Sequence, residues 1–182
     1  FATAVSTGCD DPEDPKTWVG KLNTDNKRPG AMRKLREMFQ SRLSMAHDNI
    51  NDPNVKQFLD ATVPAVNDAF VAHPEEVSTR KEAIEILAAS HDARAIPARL
   101  NALEFHAGNS DSARIALRAA QALREMHPEN NPQVVQKLLA CLDRASTNSG
   151  SAPAIRESVI YALAAIHDRA AVQRLIDFLK LP

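Results

Sequence analysis

Three His-Asp pairs are the residues best suited to do chemistry in this chain: His47-Asp48, His91-Asp92 and His167-Asp168. An imidazole next to a carboxylate can hold a divalent ion, and a metal-bound water is a hydrolytic nucleophile near neutral pH. Hydrolysis of a phosphoester by such pairs requires them to converge on one centre. His91-Asp92 and His167-Asp168, however, lie 76 positions apart at the same place in a repeated pattern, which sets them on separate inter-helix turns. There a His suits the C-terminal end of one helix, where positive charge complements the dipole. The following Asp suits the start of the next, where it accepts backbone N–H bonds. His73, His106 and His127 fall at helix ends as well, near Pro74, Gly108 and Pro128. The chain carries no Gly-rich phosphate loop, no Gly-x-Ser-x-Gly elbow and no cysteine cluster with zinc spacing. No catalytic residue, metal ligand or cofactor is therefore expected, and the chain reads as a non-enzyme.

The two cysteines differ in character. Cys141 sits in the apolar helical run Val134 to Leu142 and is expected as a small core residue. Cys9 follows Ala2, Ala4, Val5 and Gly8 and precedes the acidic stretch Asp10, Asp11, Glu13 and Asp14. A short apolar stretch, a small residue, one Cys and a polar tether resemble the end of a bacterial lipoprotein signal. The resemblance implies that the Cys9 thiol carries a diacylglycerol. Ser6 departs from the aliphatic residue usual three positions before that Cys, and the basic and apolar regions of a full signal are not in the 182 residues. Residues 1–14 are thus expected to be a truncated signal with an acidic tether.

The elements that must position any site are helical. The 182 residues contain 44% hydrophobic but only 4% aromatic residues, with 5 glycines. That composition excludes a disordered chain and disfavours a β sandwich or barrel. The net charge of −1 disfavours a dedicated nucleic-acid binder. No run of 18 apolar residues exists to span a membrane. Apolar residues recur at helical spacing in Thr79–Ser90, Ser112–Met126 and Ala154–Ile166, and each run is followed by a second apolar helix. Asp14 to Leu22 reads as a short capping helix with Trp18 and Leu22 on one face.

The helical pairs repeat. Arg80, Ala83, Leu87, Asp92, Ala95, Leu100 and Leu103 recur 76 positions on as Arg156, Val159, Leu163, Asp168, Ala171, Ile176 and Leu179. Ala116, Ala119 and Leu123 supply the unit between them, and Arg28, Ala31 and Leu35 begin an earlier one. The spacings between equivalent Leu positions are 52, 36 and 40, so the first unit is expected to carry an insertion in or after the Met32 to Ala46 helix, with His47 to Pro53 the obvious loop for it. These residues resemble HEAT repeats, particularly the subtype related to phycobilisome lyases. The resemblance implies an all-α, right-handed α-solenoid of about four hairpins. It would form a single domain over 15–182, with a capping helix at 15–22 and repeats near 28–73, 78–106, 112–145 and 154–180.

The resemblance extends further. The Cys, acidic tether, Pro-x-Thr-Trp helix and repeats together are similar to bacterial envelope lipoproteins with a HEAT-repeat body. This implies a scaffold for protein partners, anchored by lipid rather than by a spanning helix, in the periplasm or at the surface. The alternative is a cytoplasmic adaptor, or a helper like the phycobilin lyases that hold a chromophore in a HEAT groove. HEAT-like di-iron hydroxylases build metal sites from His-Glu pairs, but the matching helix starts here read Arg80-Lys81-Glu82 and Arg156-Glu157-Ser158, without His. If the second helix of each hairpin lines a concave surface, Arg99, Glu104, His106, Gln136, Arg174 and Asp177 are the expected partner-binding residues.

Overall fold

The computed structural model describes residues 11–106, 109–126, 131–145, 150–166 and 168–179, with the backbone alone of 170, 178 and 179. Among them nine α-helices and one 3-10 turn follow one another with no strand. They are α1 (Pro15–Lys21), α2 (Arg28–Met45), α3 (Pro53–Ala72), α4 (Val77–Ala89), α5 (Ile96–Ala102), α6 (Ser110–Met126), α7 (Pro132–Arg144), α8 (Ala152–Ile166) and α9 (Arg169–Leu179), with the 3-10 turn at Ala93–Ala95.

Local chemistry sets the starts. Asp14, Asp52 and Asn131 are N-caps whose side chains accept backbone N–H bonds from the first turn, and in each case Pro occupies an early helical position. Asp92 caps the 3-10 turn by accepting from the Arg94 N–H at 2.8 Å. Asp168 accepts from the Ala171 N–H at 3.0 Å. The His-Asp pairs within the described residues terminate helices. His47 and His91 adopt left-handed backbone with φ of 51° and 50°. At the first of these the Asp48 N–H reaches back to the Leu43 carbonyl at 2.9 Å. These are left-handed C-terminal caps built without glycine, which is strained backbone for most residues. His167 lies outside the described residues.

The helices form two layers of a solenoid. In the first layer α2, α4, α6 and α8 stack directly on one another. In the second, α3, α5, α7 and α9 touch each other sparingly. The reason is side-chain size. Ala31, Ala83 and Ala119 stand at matching positions and are almost completely buried, so the first-layer helices approach closely. Leu35, Leu87, Leu123 and Leu163 fill the space between repeats. The second-layer helices pack at least as closely on the next repeat as on their own: α5 lies on α6 and α7 on α8. Neighbouring hairpins are thereby interlocked, and no hairpin buries its apolar face alone. One core runs from Leu22 to Ala171.

In the first repeat the extra residues lie within helices rather than in the loop His47 to Pro53. The connection 46–52 is short, and the extra length lies in the helices: α2 has 18 residues and α3 has 20, against 13 for α4 and 7 for α5. α3 is amphipathic throughout and buries Val55, Phe58, Leu59, Val63, Val66 and Phe70. An apolar face that long is stable as helix and has no reason to loop out. α1 lies across α2 and α3, with Trp18, Val19 and Leu22 packed on the core.

The close approach of the first-layer helices yields a test. Ala119→Leu forces bulk into a fully buried contact and should destabilise the protein by about 1–3 kcal/mol in urea unfolding, whereas a neutral effect would show that the helices are not packed there as described.

Candidate interaction surfaces

Charged side chains cross from α2 to α4 and from α4 to α6, and from α6 the Arg124 guanidinium lies over the Tyr161 ring of α8. Arg36 of α2 meets Glu82 of α4 at 2.7 Å, while Lys81 and Glu85 of α4 meet Asp111 and Arg118 of α6 at 2.9 and 3.1 Å. All are partly exposed, so each pair contributes at most about 1 kcal/mol; they set register more than stability. Between them runs an open groove of about 260 Å³, lined by Arg36, Lys81, Glu82, Glu85, Arg114 and Arg118 over the apolar atoms of Ile84, Ile115 and Leu117. Four cations and two carboxylates thus share one surface drawn from three successive helices. Arg114 is exposed at its edge.

The second layer carries its own ladder, and its register is regular. Glu104 stands twelve residues after the Asp92 cap, and Asp143 twelve after the Asn131 cap. Their partners, Lys137 and Arg174, each stand six residues after the next cap. The Asp143–Arg174 pair is 2.9 Å long. A hydrogen bond from Lys137 holds the Glu104 carboxyl below its ordinary value.

The six residues expected on a concave face separate. Arg99 is a correction: it is 0% exposed and belongs to the core. Its guanidinium donates to the Leu87 carbonyl near the C-terminus of α4, with Nε at 3.1 Å, and to the Asp92 carbonyl at 3.4 Å. Burial lowers its pKa to about 10, still far above neutrality, so a buried cation ties α4 to the turn that follows. The register explains the error. Arg99 lies seven residues after its cap, where the next two repeats place Leu138 and Leu175. Glu104 and Arg174 are taken up by the ladder, and Asp177 accepts from Gln173 at 3.1 Å within α9. Gln136 is exposed. Only Glu104 and His106 are brought together, in a groove of about 210 Å³ that also includes Arg80, Asn101, Asn109 and Ser112.

Two further features were not legible in the sequence. Arg28, 2% exposed, donates to the Leu22 carbonyl at 2.7 Å and pairs with Asp25 and Glu76. It joins α1, α2 and the start of α4. His73, Glu75 and Glu76 place donor atoms within 4.8 Å of one another, but Glu76 is engaged by Arg28 and Glu75 is exposed. Cys141 is fully buried, and burial pushes its thiol up to about 11, which leaves it inert near neutral pH. Cys9 lies outside the described residues.

Residues 155–180, the α8–α9 hairpin, match the family model described as PBS lyase HEAT-like repeat. With the stacked hairpins, that match supports a HEAT-like repeat protein. A comparison with curated proteins returns no match. Among the described residues no helix is long and apolar enough to cross a membrane.

The assignment of Arg99 to the core is testable with two variants. Arg99→Ala removes the donors and opens a cavity, and should cost about 2–5 kcal/mol. Arg99→Leu restores the volume that the other repeats use and should cost only about 1–2 kcal/mol, the price of undonated carbonyls. Wild-type stability for both, in denaturant titrations, would return Arg99 to the surface.

Proposed function

We propose that this protein is a non-enzymatic scaffold that binds a protein partner along the first-layer groove. The observation that carries the reading is the groove itself, where Arg36, Lys81, Glu82, Glu85, Arg114 and Arg118 converge from α2, α4 and α6. With Arg36, Lys81 and Arg118 paired to Glu82, Asp111 and Glu85, the one further cation of the lining is Arg114, which suits a carboxylate of the partner, and the apolar floor suits interleaved aliphatic side chains. Such a surface gives specificity and encounter rate through charge complementarity more than through area. The histidines support a structural role, since His47 and His91 serve as helix caps. In the same reading Cys9 carries a lipid that holds the scaffold at a bacterial membrane, facing the periplasm or the exterior.

A photo-crosslinking side chain at Leu117, in the groove, should capture a protein in the native cell, and the same group at Gln136, on the second layer, should not. Capture from Gln136 alone would move the binding face to the second layer. The anchoring part is tested by intact mass: protein recovered from the membrane fraction should begin at Cys9 and carry added lipid mass. An unmodified chain in the soluble fraction would remove the lipid.

The match to a lyase-type repeat favours one second reading, a helper that holds a chromophore. It requires an absorbance shift when the protein is mixed with a bilin or haem, and an unchanged spectrum would dispose of it.

A further inference from the structure

The repeat register sets an arginine of one first-layer helix against a carboxylate at the start of the next. Arg28 stands seven residues before its repeat Leu, Leu35, and Glu76 eleven residues before the following one, Leu87. The two side chains pair, and Asp25 gives the Arg28 cation a second carboxylate. Between the third and fourth units both members of the pair are missing, with Ala116 and Ala152 in the two places.

Between the second and third units only the cation is kept. Arg80 stands seven residues before Leu87, and the residue eleven before Leu123 is Ser112. Both line the groove of about 210 Å³ formed by the start of α4, the end of α5 and the start of α6. The Arg80 guanidinium lies 4.2 Å over the Phe70 ring. It donates to the Asn101 side-chain oxygen at 2.7 Å and to the Pro74 carbonyl at 3.3 Å, and its Nε is buried with no acceptor. These partners are all neutral, and among the described residues no carboxylate forms an ion pair with Arg80. Burial lowers its pKa, opposed by the charges of Glu104 and Glu75. Burial works against Arg28 too, yet its bonds to Asp25 and Glu76 hold its pKa above the ordinary value. A cation taken partly out of water without a counter-ion is destabilising, so Arg80 is the one of the two that an added anion would relieve.

The groove suits one acid group on a short stem. Asn101, His106, Asn109 and Ser112 surround Arg80 with polar groups, while Val77 and Ile115 supply apolar wall. Glu104 lines the same groove, but its charge is taken up by Lys137. The volume lies below the roughly 300 Å³ at which sites for drug-sized ligands begin, which favours a few-carbon chain.

We propose that this groove binds a carboxylate carried on a short aliphatic chain, held by Arg80 and Ser112 in the place that Glu76 fills for Arg28. The acid is a free small molecule or the side chain of an acidic residue on another protein; the chemistry at Arg80 is the same. The site does not depend on the scaffold reading of the first-layer groove.

Magnetic resonance titration of the isotope-labelled full chain is the test, with butyrate, the neutral butyramide, and a Gly-Glu-Gly peptide blocked at both ends. Butyrate or the peptide should shift the Asn101 and Ser112 amides saturably, with a Kd of about 1–10 mM. Shifts from butyrate alone assign the site to a free short-chain acid, and shifts from the peptide assign it to an acidic side chain. Arg80→Met keeps an apolar stem against Phe70 and should weaken binding about tenfold or more. Ser112→Glu places an acid where the register has one; it should abolish binding and raise the urea midpoint. That gain should vanish when Arg80→Met is added, which separates the ion pair from the general benefit of an acid in a first helical turn. Both variants should keep the wild-type circular dichroism spectrum. The proposal is overturned if neither acid gives a saturable shift, or if butyramide binds as well as butyrate. Undiminished binding in either folded variant would overturn it as well.

Discussion

The close stacking of α2, α4, α6 and α8 is the constraint on which the rest of the structure depends. Ala31, Ala83 and Ala119 leave so little side chain between backbones that the helices lie directly against each other. That proximity places side chains of three helices within ion-pair reach, and so creates both the charge ladder and the groove between its rungs. Larger residues at the same positions would spread the layer and dissolve both. The second layer follows from the first: its helices are set by the gaps they cover between repeats, and they bond mainly to the next unit.

Buried arginines are the second structural device. Arg28 and Arg99 each take a long cation into the interior and fasten a joint: Arg28 donates to the Leu22 carbonyl and to the Asp25 and Glu76 carboxylates, Arg99 to the Leu87 and Asp92 carbonyls. Arg28 joins the α1 cap to the first two repeats, and Arg99 fastens the end of α4 to its turn. A planar guanidinium with several donors suits such a task better than an ammonium. The arginines at the surface do different work, in ladders where exposure keeps each pair weak.

Much of the fold is legible in the residue pattern because packing positions recur. The steps through Ala83 and Leu87, repeated at Ala119 and Leu123, follow from layers that must match. The lengthened first repeat is legible only as a spacing; whether the extra residues loop out or extend helices depends on the apolar face of α3, which packing completes. The binding surface is harder to read for a different reason. Arg99 has the composition of a surface residue and the register of a core one, and only alignment on the Asp92, Asn131 and Asp168 caps exposes the conflict. The first-layer groove has no local signature at all, because its residues come from helices separated by whole repeats.

The central claim is that the first layer is the continuous spine and the second layer is fastened onto it. Native-state hydrogen exchange measured by mass spectrometry tests it most directly, since slow exchange marks the elements that open only with the whole fold. Peptides from α4 and α6 should exchange most slowly, and those from α5 and α9 clearly faster. Equal or greater protection of α5 and α9 would contradict the account, because it would place the spine in the other layer.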